Sequence, residues 1–185
     1  MKLRLSYSLL SQWARGEVDQ AIQTYFHMKS TPNKYMIDGR RLHEEIQKPI
    51  EEKGQFPDWF FDIKNFEGSF KHPENEKVVV ASYNDIFDVK CIIDTYDSGV
   101  GFEYKTGVSN SLEWSRKAQI PFYFLVCELA ELPIEKMYLM RWNQYLKEKD
   151  YIIYWNSKLA RDYARDYIDS YGYEIYEFFK KEGLI

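Results

Sequence analysis

The sequence predicts an α/β sandwich built around one mixed β-sheet. Three observations carry that expectation. Segments with helical spacing of apolar residues open the chain, runs with strand-like alternation fill its centre, and a helix, two strands and a long helix close it. The 185 residues are 45% hydrophobic and 18% aromatic, enough to pack a core. A strong turn signal, Asp97-Ser98-Gly99, lies between two apolar runs and reads as a β-hairpin.

Each element has its own justification. "SYSLLSQWARG" supplies hydroxyl N-caps, an apolar face and a closing glycine, and "EVDQAIQTYFHMK" reads as a second helix. "NKYMIDGRRLHEEIQKPIEEKG" is a third, with Gly39, Leu42, Ile46 and Ile50 along one stripe. "FEGSFKH", "KVVVASY" and "FDVKCIIDTY" lead into "GVGFEYKTG" as a mostly antiparallel meander of three or four strands. Asn110 with Glu113 three residues on resembles a capping box opening the helix "SLEWSRKAQIPFYFLVCELAEL", in which Pro121 should kink or interrupt the first part. "KMYLMRW" and "DYIIYWN" are two further strands, and "SKLARDYARDYIDSYGYEIYEFFKKEG" is an aromatic-rich helix with a break expected near Gly172. The reading is one domain over residues 1–185: N-terminal helices (1–55), a central meander with its following helix (64–130), and terminal strands and helix (131–185).

Composition excludes several classes. "MKLRLSYSLL" lacks the apolar core of a signal peptide, and "IPFYFLVCELA" is too short to span a bilayer, so a cytoplasmic chain with no membrane partner is expected. Two cysteines, Cys91 and Cys127, are too few for a disulfide scaffold, a zinc site or an iron–sulfur cluster and read as core. The net charge is −4, but residues 1–48 hold eight basic against five acidic side chains, so the basic surplus is N-terminal. Solvated helix faces account for it as well as a phosphate-binding rim does.

The hairpin poses the chemical question. If Ser98 and Gly99 form a two-residue loop, Asp94 stands opposite Glu103, and Lys105 shares Glu103's face. Opposed side chains lie roughly 4.5–5.5 Å apart at Cβ, where like charges repel, so something positive should sit between them. A hard divalent cation suits the gap, and Lys105 could serve the same cluster. Taken singly, Glu-x-Lys on a strand is ordinarily an exposed ion pair; apolar Ile92 and Phe102 nearby point instead to partial burial. His43 lies on the same helical stripe as Gly39, Ile46 and Ile50, where a merely hydrogen-bonded core histidine is the default. Gln119 and Tyr123 are one turn apart on one helix face, preceded by Arg116 and Lys117.

The ordered set "SYS" (6–8), "GRRLH" (39–43), Asp94, "EYKTG" (103–107) and "QIPFY" (119–123) resembles the PD-(D/E)XK nuclease superfamily, specifically its RecB-like branch. That branch shows a G-x-x-x-H helix, an aspartate ending one strand, an E-x-K or D-x-K-T-G strand and a Q-x-x-x-Y helix. Many members hold an iron–sulfur cluster on four cysteines; this chain lacks them and looks like the cluster-free single-domain exonucleases. The resemblance implies a restriction-endonuclease-like αβ sandwich. It implies that His43, Asp94, Glu103 and the backbone carbonyl of Tyr104 hold one or two Mg²⁺ or Mn²⁺ ions. Lys105 would orient or help deprotonate the attacking water, and Gln119 and Tyr123 would position the substrate backbone or the Lys105 end of the site. Arg40, Arg41, Arg116 and Lys117 are candidate phosphate contacts, and Ser6 and Ser8 are others, though N-capping explains both serines equally well. The implied function is a metal-dependent DNA nuclease leaving 5′ phosphates, an exonuclease acting on single strands or duplex ends. Two alternatives stand beside it: a nuclease-fold module that binds without cleaving, and a glycosidase using two carboxylates.

Overall fold

The computed structural model describes residues 2–27, 34–61, 70–106, 117–143 and 146–185. Eleven elements are described in chain order: β1 (Leu3–Ser6), α1 (Tyr7–Ala14), α2 (Val18–Tyr25), α3 (Lys34–Lys53), β2 (Glu74–Ser82), β3 (Phe87–Asp97), β4 (Val100–Thr106), α4 (Gln119–Leu129), β5 (Lys136–Asn143), β6 (Glu148–Trp155) and α5 (Lys158–Lys181). They form the predicted α/β sandwich, a mixed six-stranded sheet with helices on both faces. Among the described residues no helix is long and apolar enough to cross a membrane.

The centre of the sheet is β3, and its neighbours create the one irregularity that matters. Strand β2 runs antiparallel along one edge, from Glu74 beside Tyr96 to Ser82 beside Asp88. The other edge is shared. Parallel β1 takes its beginning, Leu3 beside Phe87 to Ser6 beside Lys90, and antiparallel β4 takes only its end, Thr95 beside Phe102 to Asp97 beside Val100. Between Lys90 and Thr95 the sheet forks. Strand β4 turns away to pair in parallel with β5 along its whole length, from Val100 beside Lys136 to Thr106 beside Trp142, and β5 carries β6 antiparallel on its far side.

The hairpin is closed by the predicted two-residue loop. Ser98 (φ 50°) and Gly99 (φ 90°) both take positive φ, as a type I′ turn requires, which fixes the register that was expected.

One face of the sheet carries α1, α4 and α5 over a cluster that includes Leu5, Phe87, Val89, Ile93, Phe122, Phe124 and Phe179. Each of these side chains stabilises the fold by roughly 1.5–3 kcal/mol through burial. The other face carries α3, whose Ile46 and Ile50 pack with Phe56, Phe60, Phe102, Tyr104 and Tyr138. Gly39 lets α3 sit close to β4, since a Cβ there would lie 3.3 Å from Thr106 Oγ1.

Four expectations need correction. Strand β1 went unpredicted, because four residues are too few to display an alternation. The "FEGSFKH" strand is not formed where it is described: the N–H of Phe70 goes to the Gly54 carbonyl, and those of Lys71 and His72 go to the Asp97 carboxylate. Among the described residues the helix read as opening at Ser111 is helical only from Gln119, so of the two outcomes expected of Pro121, a kink or an interruption, the second holds. The proline sits in the first turn of α4, where its missing N–H is not needed, and its ring bars the helix from reaching back to Lys117. Gly172 does not break α5, which is continuous over 24 residues; a Cβ there would meet Leu5 Cδ1 at 2.9 Å, so the glycine serves helix–sheet contact. The capping box at Asn110 and Glu113 lies outside the described residues.

Candidate active site

The fork gathers side chains from four elements. Strand β3 contributes Asp94, at the last position before it meets β4. There the ladder is replaced by side-chain bonds: Tyr104 N–H donates to Asp94 Oδ2 at 2.7 Å, and Gln47 Nε2 of α3 donates to the Asp94 carbonyl at 3.0 Å. The pleat is also disturbed on β2. The β2–β3 register sets Glu76 across from Asp94, the two form no ladder pair, and Glu76 has φ 49°.

Strand β4 contributes Glu103 and Lys105 on one face. Lys105 Nζ donates to Glu103 Oε1 at 2.5 Å, and Gln119 Nε2 at the start of α4 donates to the same oxygen at 2.7 Å and to the Tyr123 hydroxyl at 2.9 Å. Helix α3 brings His43 from the other side, its Nδ1 3.8 Å from Asp94 Oδ1 and its ring edge-on to Tyr104. Thus Asp94, Glu103, Lys105, His43, Gln119 and Tyr123, spread over 81 positions of sequence, surround one opening in the sheet.

The electrostatics of this group are those of two carboxylates short of partners. Glu103 is 3% exposed, and its Oε2 is buried without a hydrogen bond. Burial, followed by the negative charge of Asp94, pushes its carboxyl up to about 7. Burial likewise pushes Asp94 up to about 6, against the opposing pull of Lys105 and of the Tyr104 N–H. Burial alone would lower the Lys105 ammonium; the charges of Glu103 and Asp94 and the bond to Glu103 outweigh it and hold the group above its ordinary value. His43 is held below its ordinary value by burial, against the charge of Glu103, and so favours the neutral imidazole that can ligate.

Do these residues fit a divalent cation? Among the described residues no three His, Cys, Asp or Glu side chains converge closely enough to hold one as they stand. The donor set nonetheless has the chemistry for it. A buried, unpartnered carboxylate oxygen, a second, half-buried carboxylate with raised proton affinity and a neutral imidazole together demand positive charge, and Mg²⁺ or Mn²⁺ with oxygen ligands meets that demand.

The other candidates are placed less centrally. Ser6 caps α1, its hydroxyl accepting from Leu9 N–H at 3.3 Å, and Ser8 is exposed in the first turn. Arg40 and Arg41 are exposed on α3, with Arg41 within 4.0 Å of Asp38 and 3.7 Å of Glu45. Lys117 lies just before α4, and Arg116 falls outside the described residues. Sequence reasoning missed Gln47 and Glu76. Gln47 stands one turn past His43, so the helical spacing that singles out His43 could have found it; Glu76 gives no signal, because its proximity to Asp94 comes from strand pairing alone.

No family model matches the chain, and no curated protein is similar to it. Solved structures are similar in fold. An alkaline exonuclease from Laribacter hongkongensis superposes with a TM-score of 0.59 at 8% identity, covering 98% of this chain and 93% of that one. The same exonuclease in complex with dAMP gives 0.55 at 9% identity over 97% and 93%. The protein SSO0001 gives 0.51 at 12% identity over 89% and 73%. At these identities the likeness is one of fold: this chain has the sandwich architecture that an exonuclease also uses.

Proposed function

We propose that the chain is a metal-dependent DNA nuclease of the PD-(D/E)XK type, RecB-like branch, cutting phosphodiester bonds at strand ends and leaving 5′ phosphates. One observation carries this reading: the half-buried carboxylate of Asp94 on β3 and the buried one of Glu103 on β4 meet at the fork, with one oxygen of Glu103 unpartnered and a lysine hydrogen-bonded to the other. A fold shared with an exonuclease, one structure of which holds dAMP, supports it.

In this reading Asp94, Glu103, His43 and the Tyr104 carbonyl would hold Mg²⁺ or Mn²⁺, which polarises a phosphate oxygen and offsets charge on the leaving 3′ oxygen when bound. The chain's own groups do the rest. Lys105, protonated and anchored on Glu103, presents its ammonium to a water approaching the phosphate and holds that water in line. Gln119 fixes the Glu103 carboxylate and the Tyr123 hydroxyl together, so β4 and α4 keep one geometry. The apolar cluster behind Tyr104 keeps bulk water from that side. Arg40, Arg41 and Lys117 supply phosphate contacts, with Arg116 a further candidate by its place in the sequence, and DNA is the partner.

The test uses end-labelled single-stranded and duplex DNA, linear and circular, with Mg²⁺, Mn²⁺ or excess chelator. Linear strands should shorten with metal, circles should resist, and chelator should stop the reaction. Full activity in chelator overturns the mechanism. Because no three ligating side chains converge among the described residues, a non-cleaving binding module is the second reading, and metal-loaded protein that binds DNA and leaves it intact would establish it.

A further inference from the structure

The fork that positions the carboxylates also opens a cavity, and the proposed chemistry leaves it without a role. It has a volume of about 540 Å³ and lies between β1, the ends of α1 and α2, and the stretch of β3 that neither β1 nor β4 pairs. Cys91 and Ile92 form its β3 wall, and Tyr123 belongs both to this wall and to the hydrogen-bonded chain that reaches Glu103 through Gln119. The cavity therefore shares Tyr123 with the candidate active site, and Tyr7 on its lining lies near enough to Lys105 to feel its charge.

Its lining combines cations with aromatic rings. Arg4 and Lys90 lie on adjacent parallel strands, and the pairing of Arg4 with Asp88 and Ser6 with Lys90 sets their side chains on the same face. Among the described residues neither has a carboxylate partner, whereas neighbouring Lys2 is already engaged with Asp88 at 3.8 Å and Ser82 at 2.5 Å. Tyr7, Tyr25 and Tyr123 supply rings, and Ser8 and Thr24 supply hydroxyls. Unpaired cations beside aromatic rings are the two components by which proteins hold single-stranded nucleic acid, the cations tracking phosphates and the rings stacking on bases. The volume falls in the range of about 300–1,000 Å³ that buries one small-molecule-sized ligand. It suits one unstacked nucleotide.

We infer that this cavity binds a nucleotide of single-stranded DNA next to the scissile phosphate, with Arg4 and Lys90 on the backbone and Tyr25 against the base, so that the site takes strands rather than intact duplex. The inference rests on the nuclease reading for its direction, but its test does not require cleavage.

Fluorescein-labelled dT12 is titrated with the full chain in chelator, and anisotropy gives the dissociation constant at several salt concentrations. The Arg4→Ala/Lys90→Ala variant should bind at least about tenfold more weakly and lose roughly two units of salt slope, one per phosphate contact removed. Tyr25→Leu should weaken dT12 while leaving an abasic strand of equal length unchanged, because only the base is lost from the contact. A DNA dumbbell with both ends closed should bind at least about tenfold more weakly than dT12. Both cations are surface groups, so the double variant should melt with the wild type, which keeps the result interpretable even if Tyr25→Leu, packed against Phe179, fails to fold. Wild-type affinity in the double variant overturns the cavity's role, and equal affinity for the dumbbell overturns the strand preference. Absence of cleavage with metal would overturn the nuclease reading alone and leave these binding results standing.

Discussion

The two ends of the β3–β4 hairpin hold aspartates three residues apart on one strand and treat them in opposite ways. At the closed end Asp97 accepts from the N–H of Lys71 at 2.7 Å, the N–H of His72 at 2.9 Å and the Ser98 hydroxyl at 2.9 Å. Burial alone would raise its carboxyl; these bonds outweigh it and hold the group below the usual carboxylate range. At the open end Asp94 has one backbone N–H on its carboxylate and Glu103 keeps a buried oxygen with none, and both are pushed up instead. The difference separates two uses of a buried carboxylate. Fully partnered, it ties a loop to a turn and belongs to the fold; under-partnered, it stores a demand for positive charge that a ligand can satisfy.

The contrast predicts a double dissociation, and this is the largest effect expected. Asp94→Asn, which keeps an acceptor for the Tyr104 N–H, or Glu103→Gln should abolish DNA cleavage while leaving the metal-free fold as stable as wild type or more so, because each relieves repulsion between the pair. Asp97→Ala should do the reverse. It leaves two backbone N–H groups without their acceptor and should cost about 2–3 kcal/mol of unfolding free energy, with cleavage retained below the melting range. Urea denaturation in chelator and a gel assay in Mn²⁺ measure the two properties. Loss of cleavage in folded Asp97→Ala, or unfolding of Asp94→Asn, would break the contrast.

A pH titration of stability in chelator sharpens it. Asp94 and Glu103 bind protons more tightly folded, at about 6 and 7, than unfolded, at 3.8 and 4.5, so their contribution is present in full below the unfolded values and lost as pH rises through the folded ones. His43, held low, works the other way below its ordinary value of 6.5 and offsets part of that loss, so stability should fall between about pH 4.5 and 7 and level off above. Each carboxyl contributes about 3 kcal/mol to that fall before the His43 offset. Asp97, held below 3.8, adds stability above its unfolded value that disappears only in acid. That fall should disappear in the Asp94→Asn/Glu103→Gln variant and persist in Asp97→Ala; a fall unchanged in the former assigns it elsewhere.

Lys105→Ala tests the open end from its cationic side. Removing the ammonium that faces the water should lower the cleavage rate by about 10²-fold with little change in metal affinity. Full rescue by added Mn²⁺ would instead make Lys105 a support for the metal ligands.

Much of this contrast is legible in the sequence because the turn is local. Ser98-Gly99 dictates a two-residue loop, the loop dictates the register, and the register brings Asp94 to Glu103 and Lys105. His43, Gln119 and Tyr123 follow from helical spacing. What makes the open end open is not legible. It depends on β1, four residues pairing with a strand more than eighty positions away, and on β4 leaving β3 for a parallel partner that follows a helix. Gly172 shows the same limit: read locally it ends a helix, and only its contact with Leu5 explains why a glycine stands there. Asp97 carried no mark distinguishing it from Asp94, since its partners are backbone groups of a segment 25 residues earlier.

The smallest effect expected compares the two histidines, one beside each aspartate. His43 meets Asp94 through its ring, with Nδ1 3.8 Å from Oδ1, whereas His72 meets Asp97 through its backbone N–H and leaves its side chain exposed. A backbone donor survives substitution, so His72→Ala should leave stability within about 0.5 kcal/mol and cleavage unchanged. His43→Ala removes one neutral ligand from a set otherwise made of oxygens. That should raise the Mn²⁺ concentration for half-maximal cleavage by about tenfold, or about 1.4 kcal/mol, while a high-metal plateau near wild type is retained. Cleavage rate measured against Mn²⁺ concentration separates midpoint from plateau. A midpoint equal to wild type in His43→Ala would remove the imidazole from the ligand set and leave it a packing partner of Tyr104. A lowered plateau with an unchanged midpoint would move it to the reacting water instead.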